Sequence, residues 1–453
     1  MNILHYSLGF PPYRRGGMTK YCIDLMAEQL RVGHNVAMIW PGRIKKYGYK
    51  CDIKEGKKEN IGKNFSCLNY EIINPLPVPL LNGIKKIDAF IQPKEDSVFY
   101  DFLKKKNINI IHIHTLMGLP KEFISAAKNL GIKVIYTSHD YFGLCPKLGF
   151  IYNGQICNND NYEKCIACNE TSLSLNKIKL LQSSLYRSMK DTKLIKHLRK
   201  IHNKSLNEYV LKNNIEIIDD EDSALKIGGD YRKLQKFYIE LLEMIDTIHF
   251  NSYNTKMKFE KYISKKQNSK VLSITHASIL DNRKIKRYED KIRLGYLGSI
   301  EEHKGFHSLK SVCDELHNIY EDKFELNIFA NYEGKEKYIV QHEPYKYNEL
   351  SKVMNYIDIL IVPSLSETFG FTVLEALSYG VPVIVSKYVG AKDLIEHGKS
   401  GMIYNELDEL VEILKNIINH KVKLKDMNNY IVDYVLIKDI IKHSIEIEQL
   451  YTN

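Results

Sequence analysis

Residues 363–390 read PSLSETFGFTVLEALSYGVPVIVSKYVG, and their arrangement decides the fold. The apolar run YIDILIVPS at 356–364 leads into them with the length and composition of a buried strand. A polar loop over about 364–371 follows, then a short helix from about Thr372 that Gly380 closes, with Pro382 just beyond. VPVIVS at 381–386 reads as the next strand. Strand, helix and strand in this order make a parallel pair with a crossover helix. Ligands of such sheets bind outside the carboxyl ends of the strands, where this loop lies.

Two carboxylates, Glu367 and Glu375, flank Gly370 and Phe371. The helix N-terminus offers unpaired backbone N–H groups and a partial positive charge, a seat for phosphate. Gly370 permits close backbone approach to a ligand. The carboxylates themselves repel phosphate. They are acceptors only, and the paired hydroxyls of a sugar ring suit a bidentate acceptor. An acid on either side of a phosphate seat points to a ligand with a sugar at each end of a diphosphate, a nucleotide sugar.

The same alternation recurs along the chain. MNILHYSL, the loop GFPPYRRGG, a helix ending at Gly33 and HNVAMIW form a βαβ opening. INIIHIHT, a helix over about 120–130 and IKVIYTSHD repeat it, and IDTIHFNS resumes it after a helical, charge-rich insertion at 169–245. A second set begins at KIRLGYLGS. With 453 residues the chain is too long for one core. The expected organisation is an N-terminal domain over 1–275, a linker poor in apolar residues at 276–291 and a C-terminal domain over 292–435. A last helix at 436–453 is placed to rejoin the first domain.

A hydrophobic content of 44% and a charged content of 26% exclude a disordered or collagenous chain. No run approaches the roughly 18 apolar residues of a membrane span. The opening MNILHYSLGF lacks a basic, apolar leader and reads as a strand. A cytoplasmic location is the expectation, with the eight cysteines present as thiols or metal ligands.

The stretch around ILIVPS, FGFTVLEAL and YGVPVIVS resembles the donor-binding motif of glycosyltransferase family four, retaining enzymes of the GT-B fold. That fold sets two Rossmann-like parallel-sheet domains face to face across a cleft. The resemblance implies that Glu375 holds the ribose hydroxyls and Glu367 contacts the transferred sugar or its leaving phosphate. Backbone around Gly370, Phe371 and Thr372 would face the sugar and the diphosphate. YLGSIEEHKGFHSL resembles the family's diphosphate clamp, with Lys304 and Gly305 in place. Ser299 stands where the family has arginine, leaving the clamp to Lys304, the helix N-terminus and His303.

PPYRRGGMTKY is similar to the family's glycine loop, so Gly16 and Gly17 would face the diphosphate, flanked by Arg14 and Arg15. YTSHDYF resembles the segment in which a histidine, here His139, reaches the donor sugar, with Asp140 beside it. The implied catalytic set is His139, Glu367 and Lys304, with no protein nucleophile and no catalytic metal. The co-substrate would be a nucleotide-diphosphate sugar. The acceptor would be a saccharide or lipid-linked saccharide, and bacterial surface polysaccharide is the usual setting of relatives with a cysteine loop.

Cys145, Cys157, Cys165 and Cys168 fall in CPKLGFIYNGQICNNDNYEKCIAC. Asn153-Gly154 is a hairpin turn signal, and folding there brings Cys145 and Cys157 together at its base. The Cys165–Cys168 pair can complete a tetrahedral thiolate site suited to structural zinc, with no open position for catalysis. Residues 177–212 carry ten Lys or Arg against two acids, interleaved with apolar residues at helical spacing. A basic amphipathic helix there suits peripheral contact with an anionic membrane surface, and a helix pair packed against the first domain with its lysines in water is the equal alternative.

Three alternatives are weaker. Asp220 and Asp222 form a D-x-D pair of the kind that binds metal diphosphate on another fold, but they lie inside the insertion. A nucleotide-sugar epimerase needs paired acids or bases on the sugar, for which His139 and Glu367 alone are candidates. A nucleic-acid-binding module is disfavoured because the basic segment has few aromatics for base stacking.

Overall fold

The computed structural model describes residues 1–45, 50–62, 64–158, 162–193, 195, 221–264 and 267–452. The strands in the first half are β1 (Asn2–Tyr6), β2 (Asn35–Pro41), β3 (Asp52–Glu55), β4 (Glu59–Ile61), β5 (Phe65–Ile73), β6 (Ile110–Ile113) and β7 (Lys133–Ser138). The short hairpin β8 (Ile151–Tyr152) and β9 (Gln155–Ile156) follows, then β10 (Thr247–Phe250) and β11 (Asn268–Val271). Apart from the hairpin, they form one sheet in the order β11-β10-β7-β6-β1-β2-β5-β3, with β4 also on β5. Only β3 and β4 run antiparallel.

The central strands are buried along nearly their whole length, as in a parallel sheet covered on both faces. Three of them nevertheless carry a fully buried histidine: His5 on β1, His112 on β6 and His249 on β10. The second half forms a six-stranded parallel sheet from β12 (Ile292–Tyr296), β13 (Phe324–Ile328), β14 (Ile339–Gln341), β15 (Ile359–Val362), β16 (Val383–Ser386) and β17 (Gly401–Tyr404). Its order is β14-β13-β12-β15-β16-β17. Two Rossmann-like parallel-sheet domains result, the architecture expected from the alternation of strands and helices.

Residues 276–291 form neither helix nor strand. They are pinned to the second domain by Arg283, which donates to the carbonyls of Ile431 and Val435, and by Asn428, which donates to the carbonyls of Lys284 and Gly380. The last helix, Ile440–Thr452, packs on the first domain's helix Gly17–Arg31. Tyr21 Oη meets His443 Nε2 at 2.9 Å, and Gln29 Nε2 donates to Tyr451 Oη at 2.8 Å.

Two features differ from the sequence reading. Strands β3 to β5 extend the first sheet beyond β2, although FSCLNYEII on β5 buries its residues unevenly and gives a weak period-two signal. The described part of the basic segment is two short helices, Leu175–Leu181 and Ser184–Met189, not one. Ser183 caps the second by accepting from the Tyr186 amide at 3.2 Å, and this local bond ends the first helix. Residues 194 and 196–212 of that segment lie outside the described residues, as does Asp220. Asp222 falls within the helix Glu221–Glu243 rather than at a strand end. No helix among the described residues is long and apolar enough to cross a membrane.

Candidate functional site

A cleft of about 550 Å³ opens outside the carboxyl ends of β12 and β15 and is closed on the far side by Gly17 of the first domain. Its lining includes Gly298, Lys304, Tyr345, Tyr347, Glu367, Phe371, Thr372 and Glu375. Local backbone needs explain how these meet. Gly305 has φ +71°, and a Cβ there would lie 2.0 Å from the Pro363 carbonyl oxygen. Only glycine lets the Glu302–Lys304 turn lie against the end of β15. Lys304 Nζ is thereby paired with Glu367 Oε2.

Gly370, at φ +99°, precedes the helix Phe371–Leu377. Glu375 lies within that helix and is only 2% exposed. Its Oε1 is 3.4 Å from His276 Nε2, and its Oε2 accepts from Tyr345 Oη at 3.4 Å. Both carboxylates therefore face the one cleft, Glu367 with a cation and Glu375 with an imidazole and a phenol. The cleft can take a ligand that presents negative charge to Lys304 and hydroxyl donors to the acids.

The loop that carries Glu367 is also held by the first domain. Thr368 Oγ1 donates to the His139 carbonyl at 2.8 Å, and Ser252 Oγ donates to the Thr368 carbonyl at 2.7 Å. His139 thus sits beside the loop but outside the lining of the cleft. Its Nε2 lies 3.3 Å from His114 Nδ1, and its ring centroid is 4.9 Å from that of Tyr21. Burial pulls its pKa down to about 3. Asp140 accepts from the Phe142 amide and from Thr115 Oγ1, while burial lifts its carboxyl to about 6.

Gly16 has φ +118° and open space where a Cβ would stand. Arg14 Nη2 donates to Tyr13 Oη at 3.1 Å, whereas Arg15 is exposed. Ser299 is exposed as well, and its hydroxyl donates to Glu301 at 3.1 Å. Leu297 and Gly298, not Ser299, line the cleft. His303 contributes its carbonyl to the Leu365 amide, and its ring lies 3.7 Å from Glu301.

Cys145, Cys157, Cys165 and Cys168 all line one small cavity of about 10 Å³ under the hairpin. Asn153 and Gly154 turn it with φ +48° and +69°. Among the described residues, the one group of three ligating side chains with all ligand atoms within 4.8 Å is His5, Cys22 and His114. The four thiols therefore converge more loosely than bound ligands do. Burial pushes the Cys168 thiol up to about 11 and that of Cys165 higher still.

Residues 277–433 match the family model of the glycosyl transferases group 1, and residues 15–158 match that of Glycosyltransferase Family 4. The chain belongs to glycosyltransferase family four. Its curated relatives are distant. A Klebsiella pneumoniae protein described as an uncharacterized 41.2 kDa protein in the cps region is 29% identical over 211 residues, 42% of this chain and 57% of that one. The sulfoquinovosyl transferase SQD2 of Arabidopsis thaliana is 34% identical over 79 residues, 16% of each chain. The chain thus spans little more than half of one relative and a sixth of the other.

Among solved structures, the sucrose-phosphate synthase of Thermosynechococcus elongatus superposes with a TM-score of 0.59 at 13% identity, over 100% of this chain and 98% of that one. Anabaena HepE in complex with UDP gives 0.56 at 12% identity over 100% of both. These likenesses establish the GT-B fold for this family-four chain. His276, Tyr345 and Tyr347 escape the sequence reading, because His276 falls in the linker and the tyrosines in a loop without a motif.

Proposed function

We propose that this protein is a retaining glycosyltransferase that moves a sugar from a nucleotide-diphosphate donor to the hydroxyl of a saccharide or lipid-linked saccharide. The observation that carries the reading is one cleft with Lys304–Glu367 at one part of its wall and Glu375–His276–Tyr345 at another. In the reaction the bond from the anomeric carbon to the diphosphate breaks and a bond to the acceptor oxygen forms. The acceptor proton leaves, and negative charge grows on the departing diphosphate. Lys304 and the free N–H groups at Phe371 and Thr372 stabilise that charge in a closing, drier cleft. Glu375 holds the ribose, while Glu367 and His139 position the transferred sugar and Gly16 and Gly17 leave room for the bridge. Lys304 supplies the countercharge that a catalytic metal would otherwise provide, so added divalent ions should not raise turnover.

The Anabaena neighbour is solved with UDP and with UDP-glucose, which fits a nucleotide-sugar donor here. The Klebsiella relative's place in a cps region fits surface polysaccharide synthesis. Leu180, Leu185 and Met189 are exposed at 57%, 64% and 38% beside Lys177 and Lys179, a surface suited to peripheral contact with an anionic bilayer at the cytoplasmic face. In this reading the four clustered cysteines draw closer together to hold a structural zinc. The test is a thermal-shift screen of nucleoside diphosphates and their sugars, repeated with Glu375→Ala and Lys304→Ala. A stabilising donor whose effect Glu375→Ala abolishes and Lys304→Ala reduces is expected; a wild-type chain indifferent to every donor overturns the proposal. Conversion of donor without acceptor would instead mark an epimerase.

A further inference from the structure

The buried histidines of the first domain are joined in one continuous hydrogen-bonded chain. His249 Nε2 lies 2.7 Å from the Leu272 carbonyl, which can only accept. With the ring neutral, Nδ1 must then accept, and Thr137 donates to it at 2.9 Å. The Thr137 oxygen in turn receives Nε2–H of His112 at 2.7 Å, so Nδ1 of His112 accepts from Tyr451 at 2.7 Å. Tyr451 has no second proton. Gln29 must therefore turn its amide nitrogen to Tyr451, at 2.8 Å, and its oxygen to His5 Nε2, at 2.7 Å. His5 Nδ1 is left to accept from His114 Nε2 at 2.9 Å, and His114 Nδ1 to accept from His139 Nε2 at 3.3 Å.

Every ring of the relay is held neutral by burial, which lowers His5 to about 4 and His249 to about 3 and takes His112 and His114 well below the usual value. One carbonyl thus fixes the direction of every bond. The same relay accounts for the grouping of His5, Cys22 and His114, since both imidazoles are already committed to each other.

We propose that this relay of eight hydrogen bonds locks His139 as the tautomer protonated on Nε2, and that Gln29 and Tyr451 are positioning residues acting through it. His139 Nδ1 has no partner among the described residues and is the ring's acceptor. An acceptor nitrogen suits a sugar hydroxyl and disfavours a carboxylate, which makes the site one for a hydroxyl-bearing sugar in place of its uronate. This consequence rests on the reading of His139 as a donor-sugar contact, whereas the tautomer does not. Tyr451 lies in the last helix, so that helix sets the chemistry of a residue in the first domain.

The test uses the full-length chain labelled with nitrogen-15 histidine, with His139→Gln supplying the assignment. Two-bond proton–nitrogen spectra distinguish a protonated from an unprotonated ring nitrogen. The expected result is unprotonated Nδ1 and protonated Nε2 at His139 in the wild type. Tyr451→Phe, which can neither accept from Gln29 nor donate to His112, should give a mixed tautomer and lower kcat at least about tenfold with donor KM nearly unchanged. Gln29→Leu should do the same. Protonated Nδ1 in the wild type, or unaltered His139 signals in both folded variants, would overturn the relay. Should a variant fail to fold, the wild-type spectrum still decides. The expected spectrum in a chain that binds no nucleotide sugar supports the relay and removes the donor reading alone.

Discussion

Gly17 and Phe371 meet across the cleft: a Cβ on Gly17 would lie 2.9 Å from the phenylalanine ring. The glycine opens a helix of the first domain and Phe371 opens the helix of the second that carries Glu375. Phe371 is also backed by His276, with ring centroids 5.1 Å apart, and by Phe369 at 5.4 Å. An added methyl group would therefore push the ring towards the open cleft. Gly17 is not among the residues with positive φ, so alanine there carries no backbone strain. Gly17→Ala is expected to keep its Tm within a few degrees while weakening nucleotide-sugar binding about tenfold, about 1.4 kcal/mol. Calorimetric titration showing wild-type affinity would refute this.

In the proposed reaction Lys304 and Glu367 divide the work on the diphosphate. Both are partly exposed, with side chains 28% and 20% accessible, so breaking their pair should cost stability only about 1 kcal/mol or less. Turnover should respond far more. Charge on the leaving diphosphate rises towards the transition state, so Lys304→Ala should lower kcat about 100-fold or more and affect KM less. Glu367→Gln removes the competitor for the lysine. It should bind nucleoside diphosphate more tightly than wild type yet turn over more slowly, a combination that steady-state kinetics and a displacement titration resolve together. Equal losses in binding and turnover for both variants would count against the assigned roles.

What the sequence made legible follows from the range of the interactions. Glu367, Gly370 and Glu375 share one loop and helix, so a local pattern places them together. The Asn153-Gly154 turn was equally readable, since its φ values of +48° and +69° are a two-residue requirement. His276 and Tyr345 were not, because they reach Glu375 across 99 and 30 residues. The histidines of β1, β6 and β10 look in sequence like blemishes in apolar strands. Only the register that sets His5 beside His112, and Thr137 beside His249, reveals a common network. The break at Ser183 was overridden by periodicity, which continues through the cap even though the helix does not.

The cysteine hairpin gives a prediction independent of turnover. Four thiols, that of Cys165 buried and those of Cys145, Cys157 and Cys168 half-buried, surround a cavity of about 10 Å³ under the hairpin. Burial raises the pKa of Cys145, Cys165 and Cys168, and a bound cation would act in the opposite sense by stabilising thiolates. Elemental analysis of protein purified without chelator should find one zinc per chain. Cys165→Ser should abolish it, and a strong chelator should lower Tm without changing the reaction catalysed by protein that remains folded. Metal-free protein with unaltered Tm would leave the four thiols as simple core residues.

The histidine relay also fixes how the chain meets acid. Each buried imidazole titrates near 6.5 when unfolded but at about 4 in His5 and about 3 in His249 when folded. The unfolded chain therefore binds more protons, and the stability present above 6.5 is lost as pH falls towards the folded values. At about pH 5 the loss is about 2 kcal/mol for each such fully buried ring. Asp140 works in the opposite sense, because its folded carboxyl is raised to about 6 and gains protons first. One carboxyl does not offset several histidines, so the net effect of the buried rings is a loss of stability in acid. The urea midpoint should fall steeply between about pH 7 and pH 5, more steeply than one ionisation allows. A flat midpoint over that range would mean the rings are charged or solvated in the folded chain, and the relay could not then hold its direction.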